Sequence, residues 1–140
     1  MDSKDFANTI SEMIFAKKGY DVKIIDLRKL TTFADFFIIC SADSDTQVKA
    51  IADEVDKKLR DEGIKCWHKE GTMALQWVLL DYVDVVVHIF KKEAREFYNL
   101  EKLWGDAPIV EVEDPLLKPK KVISEKKKTT GKTTAAKKKA

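Results

Sequence analysis

Apolar residues recur every three or four positions in three segments of the chain, which is the spacing of one face of an α-helix. The clearest stripe lies in the middle of the chain, and Gly63 follows it at the point where a helix would end. The spacing predicts helices at residues 5–18, 46–62 and 92–104, the last with an inward stripe of Ala94, Phe97, Leu100 or Glu101, and Trp104.

Five other segments are short and either alternate in polarity or are continuously apolar, as strands do. They predict strands at residues 21–27, 34–40, 64–68, 77–82 and 85–90. A helix joins the second and third strands, which favours a parallel pair, whereas only Val83 and Asp84 separate the last two, which favours an antiparallel hairpin. The sequence predicts an α/β fold, a mixed five-stranded sheet flanked by helices in the order αββαβββα.

Charge divides the chain into two parts. Residues 118–140 contain ten lysines and one glutamate, a net charge of +9, so the preceding 117 residues carry −7 of the total of +2. The basic part has almost no apolar residues after Ile123, and such a segment cannot offset the entropy lost on ordering. We therefore predict a folded domain at 1–108 and a linker with a disordered Lys-rich tail at 109–140, which suits contact with RNA phosphates.

Several protein classes are disfavoured by the sequence. No apolar run reaches the length of a membrane span, and the N-terminus lacks the pattern of a signal peptide, so we expect a cytoplasmic protein without membrane contact. Cys40 and Cys66 lack metal-ligand spacing, and no glycine-rich phosphate loop is present. These observations favour a binding protein without cofactor or metal over an enzyme.

Three carboxylates nevertheless leave an enzymatic alternative open. Asp81 and Asp84 flank the hairpin turn, and Asp26 is the only plausible third ligand for a magnesium-dependent nucleotidyltransferase site. The simpler interpretation is that one aspartate caps the turn and the other is solvated. His88 lies within an apolar strand, where a half-buried, hydrogen-bonded histidine is the favoured interpretation over a nucleophile pair with Cys40.

Aromatic residues mark a candidate binding surface. Trp77 shares a strand face with Leu79 and Asp81, while Tyr98 and Lys102 are one helical turn apart with Glu101 beside them. Trp77 and Tyr98 could each cover the edge of the core instead. If both are exposed, they form an aromatic centre bordered by acidic side chains, which suits a partner rich in Arg and Lys; that border comprises Glu70, Asp81 and Glu101.

Three stretches, taken together in this order and spacing, resemble the ribosomal silencing factor family, also called Iojap-like. They are ADFFIICSADSDTQVKAIADEV, EGTMALQWVLLDYVDVVVHIF and REFYNLEKLW. The resemblance covers roughly residues 2–108, and the tail after about Leu117 departs from the family pattern.

The resemblance implies a non-catalytic factor with a nucleotidyltransferase-like fold. It further implies docking on a ribosomal protein at the subunit-joining face of the large ribosomal subunit, which blocks joining of the small subunit and represses translation under nutrient limitation. Some members form homodimers. The implied partner-binding residues in this chain are Glu70, Trp77, Leu79, Asp81, Tyr98, Glu101 and Lys102.

Overall fold

The computed structural model describes residues 2–114, 130–132 and 135–137. Within them lie four helices, α1 (Ser3–Ala16), α2 (Asp45–Asp61), α3 (Lys92–Tyr98) and α4 (Leu100–Leu103). The main sheet has six strands, β1 (Tyr20–Asp26), β2 (Phe36–Ala42), β3 (His68–Glu70), β4 (Trp77–Asp81), β5 (Val85–Lys91) and β6 (Ile109–Val112). None of the described helices is long and apolar enough to cross a lipid bilayer.

The strands of the main sheet follow the order β3-β4-β5-β2-β1-β6. The β2–β5 pair is parallel, and every other pair is antiparallel. The mixed α/β prediction is thus confirmed, but the parallel pair is not the predicted one. The sequence favoured a parallel pair of the second and third strands. In the structure β3 pairs with β4 at the edge of the sheet, and the parallel neighbour of β2 is β5.

One face of the sheet, here called the α1–α2 face, is closed by the two longest helices. Asp2 caps α1 by accepting a hydrogen bond from the Asp5 amide, and Ser44 caps α2 through the Gln47 amide. The predicted apolar stripe of α2 is buried against the sheet in full; it comprises Val48, Ile51, Ala52, Val55 and Leu59. The main aliphatic core lies between these helices and the sheet.

The opposite face, the α3–α4 face, is covered by two short helices and two connecting segments. Its core contains Phe37, Phe90 and Leu100, with Trp77 and Trp104 packed half-buried against it. Since α3 and α4 have only seven and four residues, a large part of this face is left without a covering helix.

The sequence-based prediction was wrong in two further places. A sixth strand, β6, pairs with β1 at residues that were assigned to the linker, because Val22 to Ile25 leave an open edge for it. The third strand begins at His68 rather than ending there. Within the predicted disordered tail, β7 (Thr130–Lys132) and β8 (Ala135–Lys137) form a separate two-stranded sheet, and the rest of that prediction lies outside the described residues.

Candidate protein-docking surface

Trp77 begins β4 and is held by contacts on two sides. Its ring stacks on Phe90, the cross-strand partner, with ring centroids 4.8 Å apart. Its indole Nε1 donates a hydrogen bond to His88 Nδ1 at 3.0 Å. The side chain is half-buried: Trp77 covers the core edge and is also partly accessible at the surface.

His88 supports Trp77 from inside the sheet. The residue is 3% exposed, and burial lowers the pKa of its imidazole to about 3, so the ring is neutral at physiological pH. Because Nδ1 accepts the hydrogen bond from Trp77, the single ring hydrogen must be on Nε2. A hydrogen-bonded histidine was expected here, and the structure confirms it, although the ring is buried rather than half-buried.

The predicted third helix is interrupted at Asn99, which adopts the left-handed conformation with φ 46° and ψ 56°. Asparagine tolerates this conformation better than most residues. Phe97, in the last turn of α3 before this break, is 81% exposed, whereas the sequence had placed it in the inward stripe. Tyr98 lies beside it, 51% exposed, with its ring centroid 4.9 Å from that of Trp77.

The short helix α4 completes this part of the face. Leu100 turns inward, while Lys102 and Leu103 are exposed. Together with residues of β4 and α3 they border a shallow depression of about 700 Å³. We call this region the aromatic surface; it comprises Trp77, Phe97, Tyr98, Lys102 and Leu103.

Glu101 lies beside the aromatic surface and is engaged in ion pairs. Its carboxylate accepts hydrogen bonds from Arg95 at 3.0 Å and from Lys23 at 3.3 Å. Burial alone would raise the pKa of Glu101, but the hydrogen bonds and charges of Arg95 and Lys23 hold it below its ordinary value. Arg95 also donates to Ser41 Oγ and to the Asp21 carbonyl. Glu101 therefore fastens α3 and α4 to the sheet.

The other predicted site residues lie farther along β3 and β4. Leu79 and Asp81 share the face of Trp77, as the strand alternation indicated, and Leu79 is directly opposite Glu70 in the β3–β4 register. Glu70 is exposed, and its carboxylate lies 2.7 Å from His68 Nε2. Asp81 accepts a hydrogen bond from the Val83 amide at 2.7 Å, as a turn-capping residue does. The seven predicted residues therefore share one face without forming a single cluster.

Comparison with known proteins finds a family model and relatives that match most of this chain. The family model for ribosomal silencing factor during starvation covers residues 1–139. The ribosomal silencing factor of Halalkalibacterium halodurans is 42% identical over 113 residues, which are 81% of this chain and 97% of that protein. This chain belongs to the ribosomal silencing factor family. Membership implies association with the ribosome and a role in regulating translation.

Further relatives agree with this assignment. The ribosomal silencing factor of Bacillus subtilis is 40% identical, over 81% of this chain and 96% of its own length. A crystal structure of a protein from Chromobacterium violaceum superposes with a TM-score of 0.73 at 36% identity, over 75% of this chain and 88% of that one. The family match spans residues 1–139, whereas the alignments with these two ribosomal silencing factors each cover 113 residues, almost the full length of those relatives.

The three carboxylates of the enzymatic alternative do not converge. Asp26 pairs with Phe36 in the register, on the α1–α2 face, whereas Asp81 lies on the other face of the sheet. Three strand spacings, roughly 14 Å, also separate β1 from β4. Asp26 is instead paired with Arg28, whose hydrogen bonds lower the pKa of its carboxyl. In the described part of the chain, no group of three potential metal ligands occurs.

Two residues of the aromatic surface were missed by the sequence reasoning. Phe97 was assigned to the core, and Leu103 was not considered. The signal that could have found them was Asn99 in the middle of the predicted helix, since asparagine is among the residues that end helices in a left-handed conformation.

Proposed function

We propose that this chain silences ribosomes by steric exclusion. It docks through the aromatic surface on a basic ribosomal protein at the subunit-joining face of the large ribosomal subunit, and its bulk then prevents the small subunit from joining. The observation that supports this most directly is the aromatic surface on an incompletely covered sheet face. Repression of translation under nutrient limitation follows, in the bacterial cytoplasm, because each silenced subunit is withdrawn from the pool that forms ribosomes.

The chemistry of the aromatic surface suits protein docking. Tyr98, Phe97 and Leu103 are exposed by 51%, 81% and 74%, and exposed apolar groups of this size that lie together mark interaction sites. Trp77 and Tyr98 belong to the residue types that contribute most to binding energy at interfaces. Their ring contacts fix their orientation before binding, which reduces the entropy lost on association.

Charge supports a basic partner. The first 117 residues carry a net charge of −7, which attracts a basic protein and repels bare RNA. Glu96 borders the depression beside Trp77, and Glu70 and Asp81 lie farther along the same face. A ribosomal protein with exposed lysine or arginine around an apolar patch fits this arrangement.

Co-sedimentation in a sucrose gradient tests the proposal. The protein is mixed with purified large subunits before or after the small subunits are added. We expect it to migrate with the large subunit and to lower the yield of joined ribosomes most when it is added first. Migration with neither subunit, or undiminished joining at saturating protein, would contradict the proposal.

Substitutions test whether the aromatic surface carries the binding. We expect Tyr98→Ala and Trp77→Ala each to weaken affinity for the large subunit by about 2 kcal/mol, as anchor residues do. Val110→Ala is the matched control, because Val110 is 58% exposed but lies on β6 at the far edge of the sheet. Circular dichroism establishes that each variant is folded. Parental affinity in both folded variants would place the interface elsewhere.

We further propose that the Lys-rich tail binds ribosomal RNA phosphates, on the basis of its ten lysines. Deleting residues 118–140 should reduce the slope of log affinity against log salt by about 0.7–0.9 for each phosphate that the tail neutralises. An unchanged slope would exclude such binding.

A further inference from the structure

An apolar groove of about 590 Å³ opens on the α3–α4 face, beyond the aromatic surface. Its floor is formed by the strands and its walls by two connecting segments. None of the residues assigned to the aromatic surface lines it. We call it the Val83 groove; it is lined chiefly by Phe33, Trp67, Leu79, Val83, Val86 and His88.

Two aromatic rings on the groove are unusually exposed. Phe33, in the β1–β2 connection, is 61% exposed and packs on Trp104 with ring centroids 6.2 Å apart. Trp67, immediately before β3, is 74% exposed, and its ring is in contact only with His68 among the aromatic pairs of the described residues. Neither ring is required to fill the core, so their exposure is not explained by folding.

Val83 presents an apolar side chain at the groove from a strained backbone. Its φ is 75°, and the Asp84 amide donates to the Tyr82 carbonyl at 3.0 Å across it, which defines a γ-turn of the rare, positive-φ type. A β-branched residue is strongly disfavoured in this conformation, where glycine would be unstrained. The side chain is nevertheless 56% exposed, so folding gains little from its being valine.

The groove also contains an unused hydrogen-bond donor. His88 is 3% exposed, and its Nδ1 is occupied by Trp77, which does not line the groove. Nε2 therefore carries the hydrogen, and it has no partner among the described residues. An unpaired buried donor lowers stability, and an acceptor such as a backbone carbonyl entering the groove would satisfy it.

Charge at the groove selects among occupants. Asp81 is the only charged residue that lines it in the described part of the chain, and the exposed Asp84 follows Val83 directly. A phosphate group is repelled there, whereas a lysine or arginine adjacent to an apolar residue is attracted. We propose that the Val83 groove receives one apolar side chain of the same basic ribosomal protein, from a segment in which lysine or arginine flanks that residue. This inference rests on the proposed function and adds a second contact to it.

The test uses the full chain and purified large ribosomal subunits. Val83→Gly removes the side chain and relieves the strained turn, and Val83→Asn keeps a side chain that tolerates the turn but is polar. We expect both variants to unfold at the parental temperature or above and yet to bind the large subunit about tenfold more weakly. A third variant, Trp67→Ser, should weaken binding to the same extent. Val110→Gly is the matched control and should retain parental affinity, because it also removes an exposed valine side chain but does so at the opposite edge of the sheet.

Each other outcome overturns the inference in a distinguishable way. Parental affinity in all three groove variants, with Tyr98→Ala still impaired, removes the groove contact and leaves the proposed function intact. Failure of the parent to bind removes both. If the variants lose binding to deproteinised large-subunit RNA to the same extent, the groove binds RNA. If instead they lose self-association on gel filtration, its occupant is a second copy of the chain.

Discussion

The two faces of the main sheet are built from different residues and are covered to different extents. On the α1–α2 face the core is mainly aliphatic, and Ile10, Ile38 and Ile51 are completely buried. On the α3–α4 face the buried cluster is smaller, Trp77 and Trp104 pack half-buried against it, and large apolar side chains remain exposed, among them Phe97 and Tyr98. The comparison shows that apolar side chains are buried in the core where a long helix covers them, and that some stay exposed where the helices are short.

Helix length explains the difference in coverage. At 1.5 Å per residue, the 17 residues of α2 and the 14 of α1 extend about 25 Å and 21 Å. The seven residues of α3 extend only about 10 Å. The α1–α2 face is thus closed by long helices, while in the described part of the chain much of the α3–α4 face has no covering helix.

The largest effect on stability is expected from a substitution in the core of the α1–α2 face. Ile51→Ala removes a fully buried side chain between α2 and the sheet, and we expect it to lower the free energy of unfolding by about 3 kcal/mol. Urea denaturation measures this. The folded variant should bind the large subunit with parental affinity, because Ile51 is on the face opposite the aromatic surface. Impaired binding by folded protein would mean that the two faces are coupled.

A smaller effect is expected where the aromatic surface meets the core. Trp77→Phe keeps an aromatic ring but leaves the buried His88 Nδ1 without a donor, which should cost about 2 kcal/mol of stability. The double variant Trp77→Phe, His88→Leu removes both partners and should recover most of that loss. Thermal unfolding of the parent, the two single variants and the double variant measures these losses. Additive losses would show that the Trp77–His88 hydrogen bond contributes little.

The ion pairs beneath α3 and α4 sharpen the comparison further. Glu101→Gln should lower stability by about 1 kcal/mol at neutral pH, since Glu101 is partly buried between Arg95 and Lys23. The folded-state pKa of Glu101 lies below its ordinary value of 4.5, so its contribution is complete above that pH and is lost as the pH falls through the folded-state value. The difference between parent and variant in urea should therefore shrink in acid. A difference independent of pH would exclude the ion pairs as its cause.

The sequence was sufficient to predict the helices and buried residues of the α1–α2 face, but not those of the α3–α4 face. Helical spacing identified every buried position of the α2 stripe except Asp56, because a long amphipathic helix leaves a periodic pattern. The strand alternation likewise placed Trp77, Leu79 and Asp81 on one face. Their role in binding remains a prediction.

The α3–α4 face was mispredicted where a single residue controls the backbone. Spacing alone extends the third helix through Asn99 and turns Phe97 inward, because periodicity contains no information on one left-handed residue. The strand β6 was missed for a related reason: Ile109 to Val112 is a short edge strand whose pattern is too brief to separate from a linker. Its place depends on the open edge of β1, which only the folded sheet reveals.

The smallest expected effect tests the Asn99 break itself. Asn99→Ala places a residue with a Cβ and no local polar group at φ 46°, which should cost about 1 kcal/mol of stability, whereas Asn99→Gly should cost nothing because glycine adopts this conformation freely. Differential scanning calorimetry of both variants measures the contrast. Equal stability of the two would mean that position 99 does not require the left-handed conformation. Since Asn99 separates α3 from α4, a continuous helix would then change how Lys102 and Leu103 lie relative to Tyr98 in the aromatic surface.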